Sequence, residues 1–413
     1  MTKAEYMGAL RDKLDSFNSE LQQEIMEDYE QHFAEGLAAG KTEEEIIEEL
    51  GEIEDMIREL PEEDAKKEIG IPEEVSEKDG VYEGDYKAVV IEGLLADISL
   101  RESEDGRVRV DYRNEGSDDL QQRYRFFRYE EDGVLHVGIK DCRESGNFGG
   151  AGFRKKVILF GKTILSYHSC GESGGLELAV AVPSEIGRVE AAATSGSVKV
   201  NGVNVGRLQV RTVSGETEVS GLRGEALELK TGSGDLRLCG VLEQTISLHT
   251  VSGDIEGSGM MADSLDAGTA SGDLTLTELK GRSVRLNTAS GDIKADNVTV
   301  GEVYAGTGSG DVWVSGGAEK YVVKTGSGDV ELQTEGKVQG VQIETGSGDV
   351  ELKLTGTAAQ AEIHAVTGSG DCVIYGADGG KRKVSFGSCT VGNGDCKVHV
   401  RTGSGDAEIR CRV

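Results

Sequence analysis

An aspartate recurs through the second half of the chain, each time directly after a glycine. A regular row of carboxylates could bind calcium, which takes several oxygen ligands. The calcium-binding β-roll, however, repeats Gly-Gly-x-Gly-x-Asp every nine residues, and no second Gly-Asp pair occurs here at half of the repeat. We therefore favour a structural ladder, in which each carboxylate accepts hydrogen bonds from backbone N–H groups and hydroxyls of its turn. The predicted ladder consists of Asp235, Asp254, Asp273, Asp292, Asp311, Asp329, Asp349, Asp371, Asp395 and Asp406.

The other reactive side chains form no pattern typical of an active site. The six histidines share no metal-ligand spacing, and the seven cysteines include no Cys-x-x-Cys pair, which favours reduced thiols. No serine nucleophile elbow, phosphate-binding loop with its lysine or HExxH motif is present. Cys372 and Cys396 directly follow turn aspartates and are predicted to be buried as small hydrophobic side chains. We expect no enzymatic activity, no metal and no cofactor.

The turns that carry the aspartates recur with a nearly fixed period. Ser-Gly pairs from Ser195 to Ser309 are separated by six successive intervals of 19 residues, and looser intervals continue to Ser404. A fixed period near 20 residues with one turn per unit predicts a solenoid, in which each coil stacks on the previous one. The glycine of each pair is expected either to adopt a positive φ or to let neighbouring backbones touch.

Apolar and polar residues alternate on both sides of each turn. Leu227 and Leu229 precede one turn and Leu236 follows it, whereas Lys230 and Arg237 take the alternate, outward positions. Two short strands are therefore predicted to flank every turn. The predicted fold class is mainly β, a single-stranded β-solenoid (β-helix-like, about 19 residues per coil) with a small all-α N-terminal module.

The first 80 residues differ in composition from the rest. They contain 26 acidic and 8 basic residues and supply −18 of the net charge of −31. Capping boxes that begin at Thr2, Ser19 and Thr42 predict helix starts, and the apolar residues after them fall on narrow helical faces. Those faces form the core of a small bundle, or their aromatic residues contact a partner. The predicted domains are an acidic helical module at 1–60, a linker at 61–84 and the β-solenoid at 85–413.

One segment interrupts the strand pattern. Residues 141–175 contain a glycine-rich run, three consecutive basic residues and a second glycine-rich run, which predicts an extended loop or an irregular hairpin. The segment is a tolerated insertion, or it binds a partner, since single features on a repeated frame can carry specificity. The candidate partner surface consists of Tyr6, Tyr29, Phe33, Arg154, Lys155 and Lys156.

Two parts of the chain resemble known families. The runs MTKAEYMGAL, EIMEDYEQHF and AGKTEEEIIEELG are similar to the HAAS module, a helix-turn-helix-associated α-helical signalling domain common in Gram-positive bacteria. This resemblance implies regulation linked to PadR-like transcription factors or to membrane proteins. Residues 85–413, with Val182–Pro183 ahead of the Ser-Gly-Asp turns, resemble a putative-adhesin β-strand-repeat family, a domain of unknown function.

These features define the expected function. A net charge of −31 disfavours direct binding to nucleic acid, and no apolar run is long enough for an integral membrane segment or a secretory signal, so we expect a cytoplasmic protein. We expect a non-catalytic signalling or interaction protein, linked to envelope-stress or PadR-type regulation, whose solenoid is a rigid scaffold for a protein partner. Two alternatives remain: a bactofilin-like protein that self-associates through an open solenoid end at Val413, and a surface adhesin, which requires export.

Overall fold

The chain divides into two compact units, Met1–Glu73 and Glu74–Val413. In the first unit, the described residues are all helical; the other residues of the predicted helices, and Tyr29, lie outside the described part. The computed structural model describes Lys3, Tyr6, Met7, Leu10, Phe33 and residues 79–142, 154–159, 162–168, 175–184, 186–356, 361–376, 380–391 and 394–412.

The second unit is built almost entirely from strands, so the mainly β fold class is confirmed. Its N-terminal part contains β1 (Asp79–Tyr82), β2 (Ala88–Leu94), β3 (Asp97–Glu102), β4 (Val108–Asn114), α1 (Asp118–Arg123), β5 (Tyr124–Glu131), β6 (Val134–Asp141), β7 (Arg154–Leu159), β8 (Lys162–His168) and β9 (Leu176–Val182). Its central part contains β10 (Ile186–Ala193), β11 (Val198–Asn201), β12 (Asn204–Thr212), β13 (Thr217–Ser220), β14 (Arg223–Lys230), β15 (Leu236–Cys239), β16 (Leu242–His249), β17 (Ile255–Gly268), β18 (Leu274–Thr288), β19 (Ile293–Thr307) and β20 (Val312–Thr325). The C-terminal part contains β21 (Val330–Thr334), β22 (Gly340–Thr345), β23 (Val350–Thr355), β24 (Glu362–Tyr375), β25 (Lys381–Val391), β26 (Lys397–Thr402) and β27 (Ala407–Arg412).

The central strands pair in parallel, each with the equivalent strand one repeat later. Val198 lies beside Thr217, Thr217 beside Leu236 and Leu236 beside Ile255, so the register equals the 19-residue period of the sequence. Two parallel rows of strands result. The short face contains β11, β13 and β15, the long face contains β10, β12, β14 and β16, and β17 to β20 each cross both faces.

The alternation predicted from the sequence places aliphatic side chains inside. Leu229 and Leu236 are fully buried, whereas Lys230 and Arg237 lie on the outside. Each fully buried aliphatic side chain stabilises the folded state by roughly 1.5–3 kcal/mol, and every repeat supplies several of them. The core is therefore a continuous column of Val, Ile, Leu and Ala with few aromatic rings.

The glycine of each Ser-Gly pair is required by close approach and not by a positive φ. A Cβ built on Gly291 would lie 1.9 Å from the carbonyl oxygen of Gly272, and one on Gly310 would lie 1.9 Å from that of Gly291. None of these glycines has a positive φ. The sequence predicted either a positive φ or a close backbone contact for these glycines, and the structure shows the close contact.

A second turn, which the sequence did not indicate, joins the short face to the long face. Gly202, Gly221, Gly240 and Gly259 occupy it with φ between 58° and 65°, the left-handed region that favours glycine. In the next two repeats Glu278 and Asn297 adopt φ of 56° and 55° at the same position. Because those two residues replace glycine, the column is hard to recognise in the sequence.

The stack ends in antiparallel strands on both sides. At the N-terminal end β6 pairs with β2 and carries β5 in antiparallel orientation, while β9 lies between β3 and antiparallel β4. At the C-terminal end β25 runs antiparallel to β24. The final strand, β27, lies between β23 and β24, so the predicted open end at the C-terminus is wrong: the chain turns back and its last repeat is internal.

Replacement of Gly291 by alanine is expected to lower the free energy of unfolding by roughly 2 kcal/mol or more, because the added Cβ would overlap the Gly272 carbonyl. Gly340→Ala is the matched control, since a Cβ there would only reach 3.7 Å from the Lys397 carbonyl oxygen. Thermal unfolding followed by circular dichroism compares the two variants. Equal melting temperatures would contradict the close-approach requirement.

Candidate interaction surface

A column of buried threonines connects successive turns. The Thr250 hydroxyl donates a hydrogen bond to the Gly234 carbonyl of the preceding repeat, at 3.3 Å, and accepts one from the Gly253 N–H of its own turn, at 3.0 Å. The same pair of bonds recurs at Thr288 and, with a donor distance of 3.0 Å, at Thr402. Each hydroxyl thereby satisfies one buried donor and one buried acceptor, which would otherwise cost about 1–3 kcal/mol each.

The aspartates form a second column beside the threonines. Oδ1 of Asp235 accepts a hydrogen bond from the backbone N–H of Asp254 at 3.0 Å, and Oδ1 of Asp254 accepts one from Asp273 at 2.8 Å. The donors are backbone N–H groups of the next repeat. Among the described residues, Asp395 takes no part in these bonds. The order in the stack is Asp235, Asp254, Asp273, Asp292, Asp311, Asp329, Asp349, Asp406 and Asp371.

Among the described residues, the ladder aspartates are not joined by the further carboxylate, imidazole or thiol side chains that would complete a metal site. Within the described part of the chain, no group of three or more His, Cys, Asp or Glu side chains could hold a metal ion. One oxygen, Oδ1, of aspartates such as Asp273 and Asp292 already accepts a hydrogen bond from a backbone N–H. The ladder is thus a structural device in which repetition supplies one bond per repeat.

The residues predicted to form the partner surface fall into two groups, one in each unit. Tyr6 and Phe33 are 3% and 0% exposed and pack edge to face, with ring centroids 6.1 Å apart. They are interior side chains of the N-terminal unit, so neither is available as a surface residue in this conformation. Arg154, Lys155 and Lys156 begin β7, which pairs antiparallel with β8 in a separate hairpin, and their side chains lie outside the described part.

An aromatic platform that the sequence reasoning missed lies at the N-terminal end of the long face. We call Phe127, Tyr129 and His136 the end platform. The rings of Tyr129 and His136 are nearly parallel, with centroids 4.4 Å apart, and those of Phe127 and Tyr129 are 6.1 Å apart. Tyr129 lies directly opposite His136 in the β5–β6 register, and Phe127 lies opposite Gly138, which leaves room for its ring. All three side chains are half-buried.

The end platform is uncharged near neutral pH. Burial lowers the pKa of His136, and burial together with the Glu92 and Glu131 carboxylates raises the pKa of Tyr129. Both rings therefore carry no net charge at pH 7. In a chain with a net charge of −31, this places an uncharged aromatic surface beside acidic ones. Such surfaces are enriched at sites of protein binding.

Ion pairs and hydrogen bonds support the platform from the neighbouring positions. The Tyr86 hydroxyl donates to Glu130 Oε1 at 2.7 Å, and Arg128 contacts the same oxygen at 2.6 Å. Burial, with the Glu130 hydrogen bond as the next contribution, raises the pKa of Tyr86 to about 12. The Arg128 guanidinium also lies 4.4 Å from the Tyr82 ring. These contacts fix β5, whose YRFFRY sequence is the signal that could have revealed the platform in a chain with only 5% aromatic residues.

A buried carboxyl group lies in an inward column of the long face, near the start of β16 and just after the second turn. Glu243 is 8% exposed, and neither of its carboxylate oxygens has a hydrogen-bond partner among the described residues. Gly224 and Ala262 precede and follow it in this column and leave space for its side chain. Burial, with the Glu225 carboxylate as a second contribution, raises the pKa of Glu243 to about 8.

Outside this column, the same part of the stack exposes apolar side chains. Leu242 and Met261, which lie side by side in the β16–β17 register, are 39% and 49% exposed. An unpartnered carboxylate and two exposed apolar side chains thus occur together in the middle of the stack. None of the described helical segments is long and apolar enough to cross a membrane.

Glu243→Gln is expected to remove a pH-dependent loss of stability. The folded protein binds the Glu243 proton more tightly than the unfolded chain does. The contribution of Glu243 to the free energy of unfolding is therefore fully present below pH 4.5 and is lost as the pH rises toward 8. Relative to the unsubstituted protein, the variant should be more stable at pH 9 by up to about 5 kcal/mol and about equal at pH 4.5. Chemical denaturation between pH 4.5 and 9 measures the difference. Glu225→Gln removes only the smaller, exposed contribution to this pKa and should therefore change the pH dependence slightly. A Glu243→Gln curve parallel to that of the unsubstituted protein would contradict the assignment.

Several solved structures match the chain at low identity and low TM-score. A putative lipid binding protein from Parabacteroides distasonis is 16% identical, with a TM-score of 0.37 over 66% of this chain and 96% of that chain. A putative adhesin from the same organism is 13% identical, with a TM-score of 0.35 over 66% and 96%. A putative cell adhesion protein from Clostridium sporogenes is 12% identical, with a TM-score of 0.20 over 80% and 97%. No curated protein matches the chain.

Two sequence families match the two units. The HAAS family matches residues 5–59, within the N-terminal unit, in agreement with the resemblance seen in the helical runs. The Toastrack DUF4097 family matches residues 86–276 and again 242–410. These two matches together extend over most of the chain and include both the end platform and every turn of the ladder. The chain therefore belongs to the Toastrack DUF4097 family.

Proposed function

We propose that the second unit is a single-stranded β-solenoid that serves as a rigid, non-catalytic frame for binding a protein partner. The observation that carries this proposal is the repeated pair of threonine and aspartate bonds between turns, which ties each repeat to the next at the same atoms. Parallel pairing at the 19-residue register supports the solenoid winding. A frame held in this way keeps its outward side chains at fixed spacings.

The end platform is the proposed partner-binding surface. Outward positions along the long face change chemistry from repeat to repeat, for example from Gln209 to Glu228 to Ser247, and most are polar. The end platform is a cluster of three stacked, uncharged rings at one end of that face. Aromatic side chains of this kind supply much of the binding energy at protein interfaces. The β7–β8 hairpin, whose β7 strand begins with Arg154, follows directly after β6 in the chain and is a second candidate contact.

The HAAS match supports a regulatory association for the N-terminal unit. We propose that this unit links partner binding on the frame to envelope-stress or PadR-type regulation, with a PadR-like regulator or a membrane protein as the partner. A cytoplasmic location is proposed as well. Its support is that Cys239, Cys396 and Cys411, which lie in the described part of the chain, are free thiols, as expected in a reducing compartment. Fractionation of cells with antibody detection tests the location, and protein recovered on the cell surface would contradict it.

Partner binding is expected to fall at least tenfold in the Phe127→Ala, Tyr129→Ala double variant, because both rings would contribute their area to the interface. Tyr304→Ala is the matched control: Tyr304 lies on the same long face in the middle of the stack, with Arg285 at 5.1 Å from its ring. The full chain, tagged and expressed in its host, is cross-linked and its partners are quantified by mass spectrometry.

A partner enriched with the unsubstituted chain is then purified, and its Kd is measured for all three proteins. The proposal requires that the double variant loses binding while Tyr304→Ala retains it. Equal Kd values for the double variant and the unsubstituted chain would exclude the end platform as the binding surface. Circular dichroism of each variant establishes that the β fold is unchanged.

A further inference from the structure

The C-terminal repeat is inserted between two repeats that precede it in the sequence. We call β26–β27 (397–412) the C-terminal repeat, β22–β23 (340–355) the receiving repeat and β24–β25 (362–391) the cap hairpin. On one side the C-terminal repeat pairs in parallel with the receiving repeat, and on the other side it pairs in parallel with β24. The stacking order at this end is therefore different from the order of the sequence.

The three layers have interchangeable hydrogen-bonding groups. Each carries the same Thr-Gly-Ser-Gly-Asp turn, beginning at Thr345, Thr402 and Thr367. The Asp406 N–H donates to Asp349 Oδ1 at 2.7 Å, and the Asp371 N–H donates to Asp406 Oδ1 at 2.7 Å. Any repeat with this turn can therefore supply the acceptor that Asp371 requires, whichever chain it comes from.

The space between the receiving repeat and β24, which the C-terminal repeat fills, is called the slot. Its apolar contacts are equally general. Val341, Val398 and Ile363 lie in one register column, and Leu352 and Ile409 lie in another. Aliphatic side chains of similar volume fill each column, so the slot selects the repeat by its pattern and not by connection to its own chain. The slot opens whenever the C-terminal repeat leaves it.

Charge favours the C-terminal repeat over other repeats as the occupant. Lys397 Nζ lies 2.5 Å from Glu362 Oε2 on the cap hairpin, and the Arg410 guanidinium lies 3.9 Å from Glu351 Oε1 on the receiving repeat. The C-terminal repeat thus presents basic side chains to acidic ones on both neighbours, in a chain that is strongly acidic overall. A second copy of the chain carries the same complementary repeat.

We infer that the C-terminal repeat can be exchanged between two copies of this chain, so that each copy fills the slot of the other. Five residues, 392–396, separate β25 from β26. Fully extended, they reach at most about 17 Å, so the exchange brings the two stacks together at their C-terminal ends. Since each copy gives and receives the same element, the product is a closed, symmetric dimer. Such exchange is independent of the partner-binding role proposed above.

A disulfide across the slot reports which chain fills it. Leu354 and Cys411 face each other in the β23–β27 register, and both are buried. Neighbouring positions on parallel strands are about 4.8 Å apart, within the Cα range of a disulfide. The full chain with Leu354→Cys, and with the exposed Cys239 replaced by serine, is prepared with ¹⁴N and with ¹⁵N. The two forms are mixed in equal amounts, unfolded, refolded at several concentrations and oxidised.

If exchange occurs, some disulfide-linked peptides will join one ¹⁴N and one ¹⁵N chain. These mixed peptides should be about half of the linked peptides in the dimer fraction, because random pairing of equal amounts gives that share. The Ala267→Cys, Leu286→Cys variant is the control, since these residues are neighbours within the continuous part of the stack and should give only like-labelled links. Native mass spectrometry of unsubstituted chains mixed in the same way is the second readout. Linked peptides that are all like-labelled, or the absence of mixed-mass dimers at every concentration, would overturn the inference.

Discussion

The approach of each turn backbone to the one before it is the constraint on which the stack depends. A side chain at Gly272, Gly291 or Gly310 would place its Cβ 1.9 Å from a carbonyl oxygen of the preceding repeat. Glycine is therefore necessary at this position in every repeat, and the neighbouring residues are selected by the space it leaves. Threonine can then reach both the preceding carbonyl and its own turn, and aspartate can reach the next N–H. One steric requirement thus accounts for the glycine of the Thr-x-Ser-Gly-Asp turn and places its threonine and aspartate within reach of their backbone partners.

The hydrogen bonds of the aspartate column explain how the stack tolerates a row of like charges. Two carboxylates one strand spacing apart repel each other by about 1 kcal/mol in water, and salt reduces this further. A hydrogen bond from a backbone N–H to a charged carboxylate contributes about 1.5–3 kcal/mol. Each repeat adds one such bond and about one such repulsion, as at Asp273 and Asp292. The bond exceeds the repulsion, so the row is stable without a cation between the carboxylates.

Much of the frame could be predicted from the sequence, because a fixed period imposes the same environment on every repeat. The period gave the mainly β class, the inward column of Leu229 and Leu236, and the aspartate row. The position of the C-terminal repeat could not be predicted, since three repeats carry the same turn and local sequence does not rank their order.

Other features escaped prediction for equally physical reasons. The second turn was hidden because Glu278 and Asn297 adopt a conformation that elsewhere uses glycine. Helical spacing does not distinguish a core aromatic from a surface one, and the predicted surface residues Tyr6 and Phe33 are buried. The end platform depends on pairing between Tyr129 and His136 across a hairpin, and periodicity along the chain does not reveal such a contact.

The distribution of stability along the stack follows from these local terms. In a stack where each repeat contacts only its neighbours, stability is close to a sum of contributions from single repeats and interfaces. Both ends are reinforced by antiparallel strands, β5 at one end and β25 at the other. Burial of the unpartnered Glu243 side chain, which the folded protein holds protonated, lowers the contribution of a central repeat at neutral pH. The exposed Leu242 and Met261 add little to that contribution. The weakest contact between neighbouring repeats is therefore expected inside the stack and not at its ends. The end platform and the C-terminal slot lie on opposite sides of it, so the two regions can open independently.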